Sequence, residues 1–420
     1  MKEVIIVGGG ASGMMAAIST SLHNENVRVT ILEHSPKIGK KLLATGNGRC
    51  NLTNKKLNTD CFRSHDGERI SMWLNRCDTD RVVSFFRQLG MLCTDKNGYI
   101  YPYSCQAATV NDMLIEACND NNIDIVTDTH VIDVQKNSDG RFMVMTSQGF
   151  EDSQGQRKKR RITYEADRVI LACGSKAYPS LGSDGSGYGI AKNLGLKMVP
   201  VVPALTGLRC RERIYSMAAG VRTQAAIELY VDHEMIASDR GELQLTEYGI
   251  SGIPVFQVSR FASYGLADGC KVHGNIDFMP DYTYEQVMDI LEYNMEKHKN
   301  KSIYNILSGM VNNKLAGMLL AYCRISQESV CEDLEDADKK NIVQALKSFY
   351  TVVTETNDYT QAQVCAGGVR LSEVDDNFQS VKVSGLYVTG ELLDVDGICG
   401  GYNLHWAWLT GIIAGENVCQ

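Results

Sequence analysis

The feature that most restricts the fold is a glycine cluster, GGGASG at 8–13, set directly behind the apolar run EVIIV at 3–7. The run reads as a short buried strand. MMAAISTSL at 14–22 has helical composition, and VRVTILE at 27–33 reads as a second strand. Strand, glycine turn, helix and strand in this order make the β-α-β unit in which a G-x-G-x-x-G turn binds a dinucleotide. Gly8 permits the tight turn, Gly10 lets a pyrophosphate approach the backbone, and Gly13 lets helix and strand pack closely. Ala11 and Ser12 open the helix, whose unsatisfied N–H groups and dipole favour phosphate at its N-terminus. Glu33 stands 20 residues after Gly13, at the end of the second strand. A carboxylate there meets ribose hydroxyls and disfavours a 2′-phosphate, and His34 adjoins it. This turn alone does not choose between FAD and NAD.

Later segments choose FAD. RVILACG at 168–174 is a strand ending in glycine, which brings Ala172 and Gly174 beside the first motif. GSDGSGYGIAKNLG at 182–195 then opens a helix. GLYVTGE at 385–391 is another strand, ending in Gly390-Glu391, and a GGYN turn at 400–403 leads into a helix over 403–417. In that helix Ala407, Gly411 and Gly415 recur at i, i+4 and i+8, a small-residue face suited to close packing on a sheet or cofactor. The dinucleotide domain is therefore split between the two ends of the chain. An extended FAD calls for that, because its flavin end must be closed over by a second helix terminus.

TGNGRCNLTN at 45–54, AGGV at 366–369 and GELLDVDGICGGYNLHWAW at 390–408 resemble the signatures of one flavoprotein family. YPYSCQAATV at 101–110 and GELQLTEYGISGIP at 241–254 are similar to it too. This is the HI-type, BaiN-like family of FAD-dependent oxidoreductases, with aminoacetone-oxidase-like proteins and the reductases of bile-acid dehydroxylation among its members. The resemblance runs through nearly the whole chain. It departs at His405, where the family pattern has glutamine, at Ile253-Pro254, and at Gln244, an apolar position in the pattern. What it implies is non-covalent FAD, a Rossmann-like FAD domain and an inserted region. By position it sets the Val131 backbone against adenine. Gly39, Lys40 and Lys41 and the loop Asn47, Gly48, Arg49, Cys50 and Asn51 would follow the pyrophosphate and flavin. Glu391 would reach the ribityl or pyrophosphate region, and Gly401, Asn403 and Leu404 the N1–C2 carbonyl edge of the flavin.

The expected fold class is α/β: a split Rossmann-like FAD-binding domain over 1–196 and 349–420, a β-barrel-like insertion over 197–280 and a helical substrate cap over 281–348. Residues 78–90 and 109–122 read as amphipathic helices, and 129–165 as a β-meander. The charge run QRKKRR at 156–161 reads as a solvated hairpin tip. Short strands at 221–231, 233–238, 241–246, 253–258 and 271–278 suggest a small barrel or sandwich. FYTVVTET at 349–356 reads as a strand returning to the FAD domain.

Composition narrows the function. An apolar fraction of 44% and a charged fraction of 22% suit a folded globular chain. A net charge of −8 argues against a nucleic-acid partner. With no long apolar run and an N-terminus broken by glycines, neither a membrane span nor a secretory signal is expected, and the cytoplasm is the expected location. Fourteen cysteines without a C-x-x-C pair read as reduced, mostly buried thiols. Cys50 and Cys399 adjoin flavin motifs, yet a redox thiol there would lack a C-x-x-C partner. No metal-ligand spacing occurs. A single glycine fingerprint leaves no second nucleotide domain. NADH or NADPH would therefore visit the substrate cavity transiently, or an electron-transfer partner would serve. Tyr402, Tyr248, Arg49 and His405 are the substrate-side acids to consider. The reading is an FAD-dependent oxidoreductase acting on a small molecule, by hydride transfer from flavin N5 to an activated C=C of a steroid- or bile-acid-like enone. The alternatives are an O2-using amine oxidase and an FAD-binding RNA-modification or scaffold protein.

Overall fold

The computed structural model describes residues 1–151 and 156–420. It divides into two compact units, 1–201 with 364–420, and 202–363. Each has its own hydrophobic core.

The first unit opens with β1 (Lys2–Val7), α1 (Ala11–His23) and β2 (Val27–Leu32). Next come α2 (Ala107–Asp120), β3 (Asp124–Val126) and β4 (Arg168–Leu171), and at the far end of the chain β5 (Leu386–Val388) and α3 (Tyr402–Asn417). The five strands form one parallel sheet in the order β5-β4-β1-β2-β3. Val4, Ile5, Ile6 and Val7 of β1 are all buried, as a central parallel strand covered on both faces requires. All five strands end on the same side, so the turn after β1 opens at the carboxyl edge of the sheet, where α/β folds bind ligands. The expected helix over 78–90 is Thr79–Gln88, with the Asp78 side chain accepting from the Arg81 N–H.

The meander appears as a three-stranded antiparallel sheet of Thr129–Lys136, Phe142–Glu151 and Arg157–Ala166. The basic run was expected at a hairpin tip. Most of it instead lies on the third strand, with Lys158 to Arg161 exposed, and residues 152–155 lie outside the described residues.

The second unit is built on a closed antiparallel barrel of six strands. In order around it they are Leu208–Cys210, Gly249–Gly252, Glu234–Thr246, Arg222–Val231, Val272–Asp277 and Phe349–Thr356. Two expectations are corrected here. Residues 349–356 do not return to the FAD domain: they close the barrel by pairing with both Leu208–Cys210 and Val272–Asp277. Residues 253–258 are not a strand but the start of a helix, Ile253–Ala267. Gly252, at φ +99°, ends the strand, and Pro254 sits in the first helical turn, where its missing N–H is harmless. Val255, Val258 and Ala262 then fall on one buried face. The helical stretch after 281 supplies Tyr284–Lys297, Ile303–Ser308, Asn313–Cys323 and Asp336–Lys347. No helix among the described residues is long and apolar enough to cross a membrane.

Candidate dinucleotide site

The glycines of the first turn separate by role. Gly8 has φ +106°, and a Cβ on it would lie 2.5 Å from the Ala172 carbonyl oxygen. A Cβ on Gly13 would lie 2.0 Å from the Gly8 carbonyl oxygen. These two let α1 and the end of β4 close on the turn. Gly10 is different: its φ is −86°, and a Cβ there would meet nothing within 4 Å. Its backbone therefore faces open space at the N-terminus of α1, which carries no side-chain cap. That is a cradle a side chain would fill, and it suits a phosphate.

Glu33, 8% exposed, directly follows β2. Its two carboxylate oxygens accept from the Gly9 N–H at 2.8 Å and the Ser35 N–H at 2.7 Å. His34 Nδ1 stands 3.2 Å from the same group. The carboxylate thus fixes the glycine turn as well as lying at the expected ribose end. Thr129 N–H bonds to the Glu33 carbonyl, so the strand carrying Val131 starts against this corner. Val131 sits where the pairing with Thr146 shifts register, at an irregular stretch of backbone.

A second layer comes from residues 39–51. Gly39, at φ +73°, donates its N–H to the Gly9 carbonyl at 2.8 Å. Lys40 Nζ donates to the Ser180 carbonyl at 2.7 Å. Lys41 Nζ pairs with Glu391 Oε2 at 2.8 Å, and Ser175 Oγ donates to the same oxygen at 3.1 Å. Glu391 is thereby held by two protein groups. Gly46, Asn47, Gly48 and Cys50 all have positive φ, which winds the loop tightly. Gly48, like Gly10, would place a Cβ in open space. Cys50 is buried, and burial pushes its thiol up to about 12, so it is no ready thiolate. Arg49 is exposed, with its guanidinium 6.0 Å from the Tyr101 ring centroid. Asn51 is buried with Oδ1 unpartnered, and that oxygen would lie 2.8 Å from a Cβ on Gly401.

The third layer is the C-terminal segment. Ala172 N–H bonds to the Val7 carbonyl, and Gly174 turns the chain at φ +71°. Gly390, at φ +66°, packs so closely that a Cβ would lie 2.6 Å from Ser12 Oγ. Gly401, at φ +92°, caps α3 without a side-chain bond. Asn403 is a first-turn residue, not the cap. Its amide donates to the Gly397 carbonyl and accepts from the Gly397 N–H, both at 2.8 Å. Leu404 completes the turn, partly buried.

Two of the expected acids have protein partners. Tyr402 is 5% exposed and gives its hydroxyl proton to the Lys56 carbonyl at 2.9 Å, while burial pushes the phenol up. His405 is 0% exposed, with Nδ1 at 2.8 Å from Thr53 Oγ1 and Nε2 at 3.1 Å from the Cys77 carbonyl. Burial brings it down to about 4. Tyr248 belongs to the second unit, where its hydroxyl accepts from Asn357 Nδ2 at 2.9 Å.

Two residues escaped the sequence reading. Ser175, directly after Gly174, holds Glu391. Asn111, directly after YPYSCQAATV, is 5% exposed, and its Oδ1 would lie 1.6 Å from a Cβ on Gly39. A polar residue at a helix position facing the core was its only signal. The site as a whole presents two glycine-capped helix termini, open backbone at Gly10 and Gly48, and an unpartnered amide oxygen. Those features fit an extended dinucleotide.

The HI0933-like protein Rossmann domain family matches residues 2–417. The chain is 42% identical, over 100% of both chains, to a Clostridium scindens protein named 3-dehydro-bile acid delta(4,6)-reductase. It is 27% identical to the Escherichia coli ribosomal RNA dihydrouridine synthase, over 97% of this chain and 95% of that one. Among solved structures, the Rhodococcus jostii 3-ketosteroid-delta4-(5alpha)-dehydrogenase shares the fold. The TM-score is 0.50 and the identity 14%, over 100% of this chain and 97% of the other.

Proposed function

Because this chain belongs to the HI0933-like Rossmann-domain family and is an FAD-dependent oxidoreductase, we propose that it reduces an activated C=C in a small steroid- or bile-acid-like enone. The carrying observation is the 42% end-to-end identity with a 3-dehydro-bile acid delta(4,6)-reductase. A 3-oxo group conjugated with 4,6 double bonds is such an enone. When bound, the FAD supplies hydride at N5.

In this reading the cofactor is non-covalent. The N-terminus of α1 and the open backbone at Gly10 take the pyrophosphate, Glu33 fixes the ribose end, and Asn51 with the first turn of α3 lines the flavin end. Arg49, exposed on the Asn47–Asn51 loop, is the substrate-side group of the first unit. With one glycine fingerprint in the chain, NADH or NADPH binds transiently.

The test is anaerobic. Protein reduced with NADH, NADPH or dithionite should be reoxidised by a 3-oxo-Δ4 or 3-oxo-Δ4,6 steroid, followed by flavin absorbance with the saturated product identified. Flavin bleached by amines and reoxidised only by O2 would replace this reading with an amine oxidase.

A second reading has an observation behind it, the likeness to a ribosomal RNA dihydrouridine synthase. The C5=C6 bond of uracil is also conjugated to a carbonyl, so the same chemistry reaches it. The net charge of −8 weighs against a polyanionic substrate. Reoxidation by ribosomal RNA and not by steroids would favour it.

A further inference from the structure

A short antiparallel sheet of Thr53–Asn54, Tyr99–Pro102 and Cys93–Lys96 belongs to the first unit. Alternation along its middle strand buries Ile100 and Pro102 and turns Tyr99 and Tyr101 outward. Lys96 pairs directly with Tyr99 and so shares that outward face. Tyr99 is 40% exposed, and Tyr103, just past the strand, 67%. The Tyr103 N–H bonds to the carbonyl of Leu92, another exposed side chain, at 2.7 Å. An exposed apolar strip rimmed by polar groups is the signature of a contact surface.

Two cations flank this strip. The Arg49 guanidinium lies 6.0 Å and the Lys96 Nζ 5.9 Å from the centroid of one ring, that of Tyr101. Both side chains are exposed. Arg49 Nε donates to the Gly46 carbonyl at 3.3 Å, and Lys96 Nζ to Cys105 Sγ at 3.0 Å. Each keeps further N–H donors after those bonds. Asp95, the neighbour of Lys96, is taken by Lys55 at 2.7 Å. Two like charges at one ring repel each other, and an anion from outside relieves that repulsion. The strip also adjoins the segments that the proposed reading sets at the flavin end. Directly after the Asn47–Asn51 loop, the Leu52 N–H bonds to the Ile100 carbonyl at 2.8 Å. A Cβ on Gly400, beside Gly401, would lie 3.4 Å from Tyr99 Cε1, and Asn54 Nδ2 donates to the Gly400 carbonyl at 3.1 Å.

We propose that Arg49 and Lys96 form an anion subsite that selects enones carrying a carboxylate, with the rings of Tyr99 and Tyr101 against the apolar body of the substrate. This rests on the enone-reductase reading and narrows its substrate class to an amphipathic ring ketone with one acidic group. Two cations match a single carboxylate, whereas a polyanion calls for a broad basic face. Lys96 acts here on specificity and not on the reacting atoms.

The holoenzyme, reduced anaerobically with dithionite, is mixed with a 3-oxo-Δ4 steroid ending in a carboxylate, with the methyl ester of that steroid, or with ferricyanide. Flavin reoxidation is timed over a range of concentrations. Dithionite keeps nicotinamide phosphates out of the comparison, and the two steroids share one enone and differ in charge. The acid should half-saturate the wild-type protein at a concentration roughly fivefold below the ester, and added salt should narrow that preference. Lys96→Gln should cut the preference roughly two- to fivefold, and Lys96→Glu should cut it further. Equal half-saturation by acid and ester in the wild-type protein overturns the assignment. So does a preference that both Lys96 variants retain in full. Oxidation by ferricyanide and by neither steroid overturns the enone reading together with this assignment, whereas oxidation by both steroids without preference overturns the assignment alone.

Discussion

Gly10 and Gly13 lie in one turn and are glycine for opposite reasons. At Gly13 a side chain would strike the Gly8 carbonyl, so the protein itself forbids it. At Gly10 neither backbone angle nor neighbour forbids a side chain, so only an outside group could. Gly10→Val should keep apo stability within about 1 kcal/mol yet lose its flavin. Gly13→Ala should cost about 2 kcal/mol or more. Urea unfolding and the flavin absorbance of the purified proteins separate the two, and a destabilised but yellow Gly10→Val protein would reverse the assignment. His405 makes a pH prediction. Its native pKa, down to about 4, lies below the roughly 6.5 of an unfolded histidine. Between these values the unfolded chain binds the extra proton. The contribution is therefore fully present above about pH 6.5 and falls away as pH drops to 4, about 3 kcal/mol in all. In His405→Gln, which keeps an amide for Thr53 and Cys77, stability should decline less over that window. Equal slopes in urea unfolding at pH 7, 5 and 4 would contradict this. The glycines were legible because spacing alone reveals a turn. The fates of Tyr402 and His405 were not, because each depends on a partner hundreds of residues away, at Lys56 and Cys77.

The small-residue face of α3 was legible as a packing face, but not its partner. It lies on α1. A Cβ on Gly411 would be 2.7 Å from the Ser12 carbonyl oxygen, and one on Gly415 2.6 Å from that of Ala16. Ser19 Oγ, on α1, donates to the Ile412 carbonyl at 2.9 Å. α3 therefore braces the helix that follows the glycine turn. Gly411→Val should push them apart, costing about 1–3 kcal/mol and weakening FAD retention, measured by titrating apoprotein with FAD. A variant that binds FAD as tightly as the parent would uncouple α3 from the turn. The helix at 253–267 was misread because IPVFQV is β-branched and short apolar runs carry no decisive period. Pro254 after Gly252 was the available signal. Residues 349–356 read correctly as a strand, but strand composition does not say which sheet takes it.

At the scale of the whole chain, Trp73, Trp406 and Trp408 all belong to the first unit and are all buried, so tryptophan fluorescence reports that unit alone. Ligand binding stabilises only what it binds, by about 2.7 kcal/mol at a hundredfold excess over Kd. Added FAD should shift the tryptophan transition in urea by that amount. Amide exchange in the barrel strand Arg222–Val231 should stay as it was. Equal protection of both would mean that the units unfold as one. The split of the first unit was legible from its two terminal motifs, whereas its inner boundaries were not, because they fall within strand-like sequence. That split also sets an order of assembly during synthesis. The chain from 202 to 363 is continuous, so its barrel closes once Phe349–Thr356 has left the ribosome. The glycine turn emerges far earlier but must wait for β5 and α3, which follow the barrel in the chain. A growing polypeptide therefore carries every strand of the barrel while its glycine turn is still unbraced by β5 and α3.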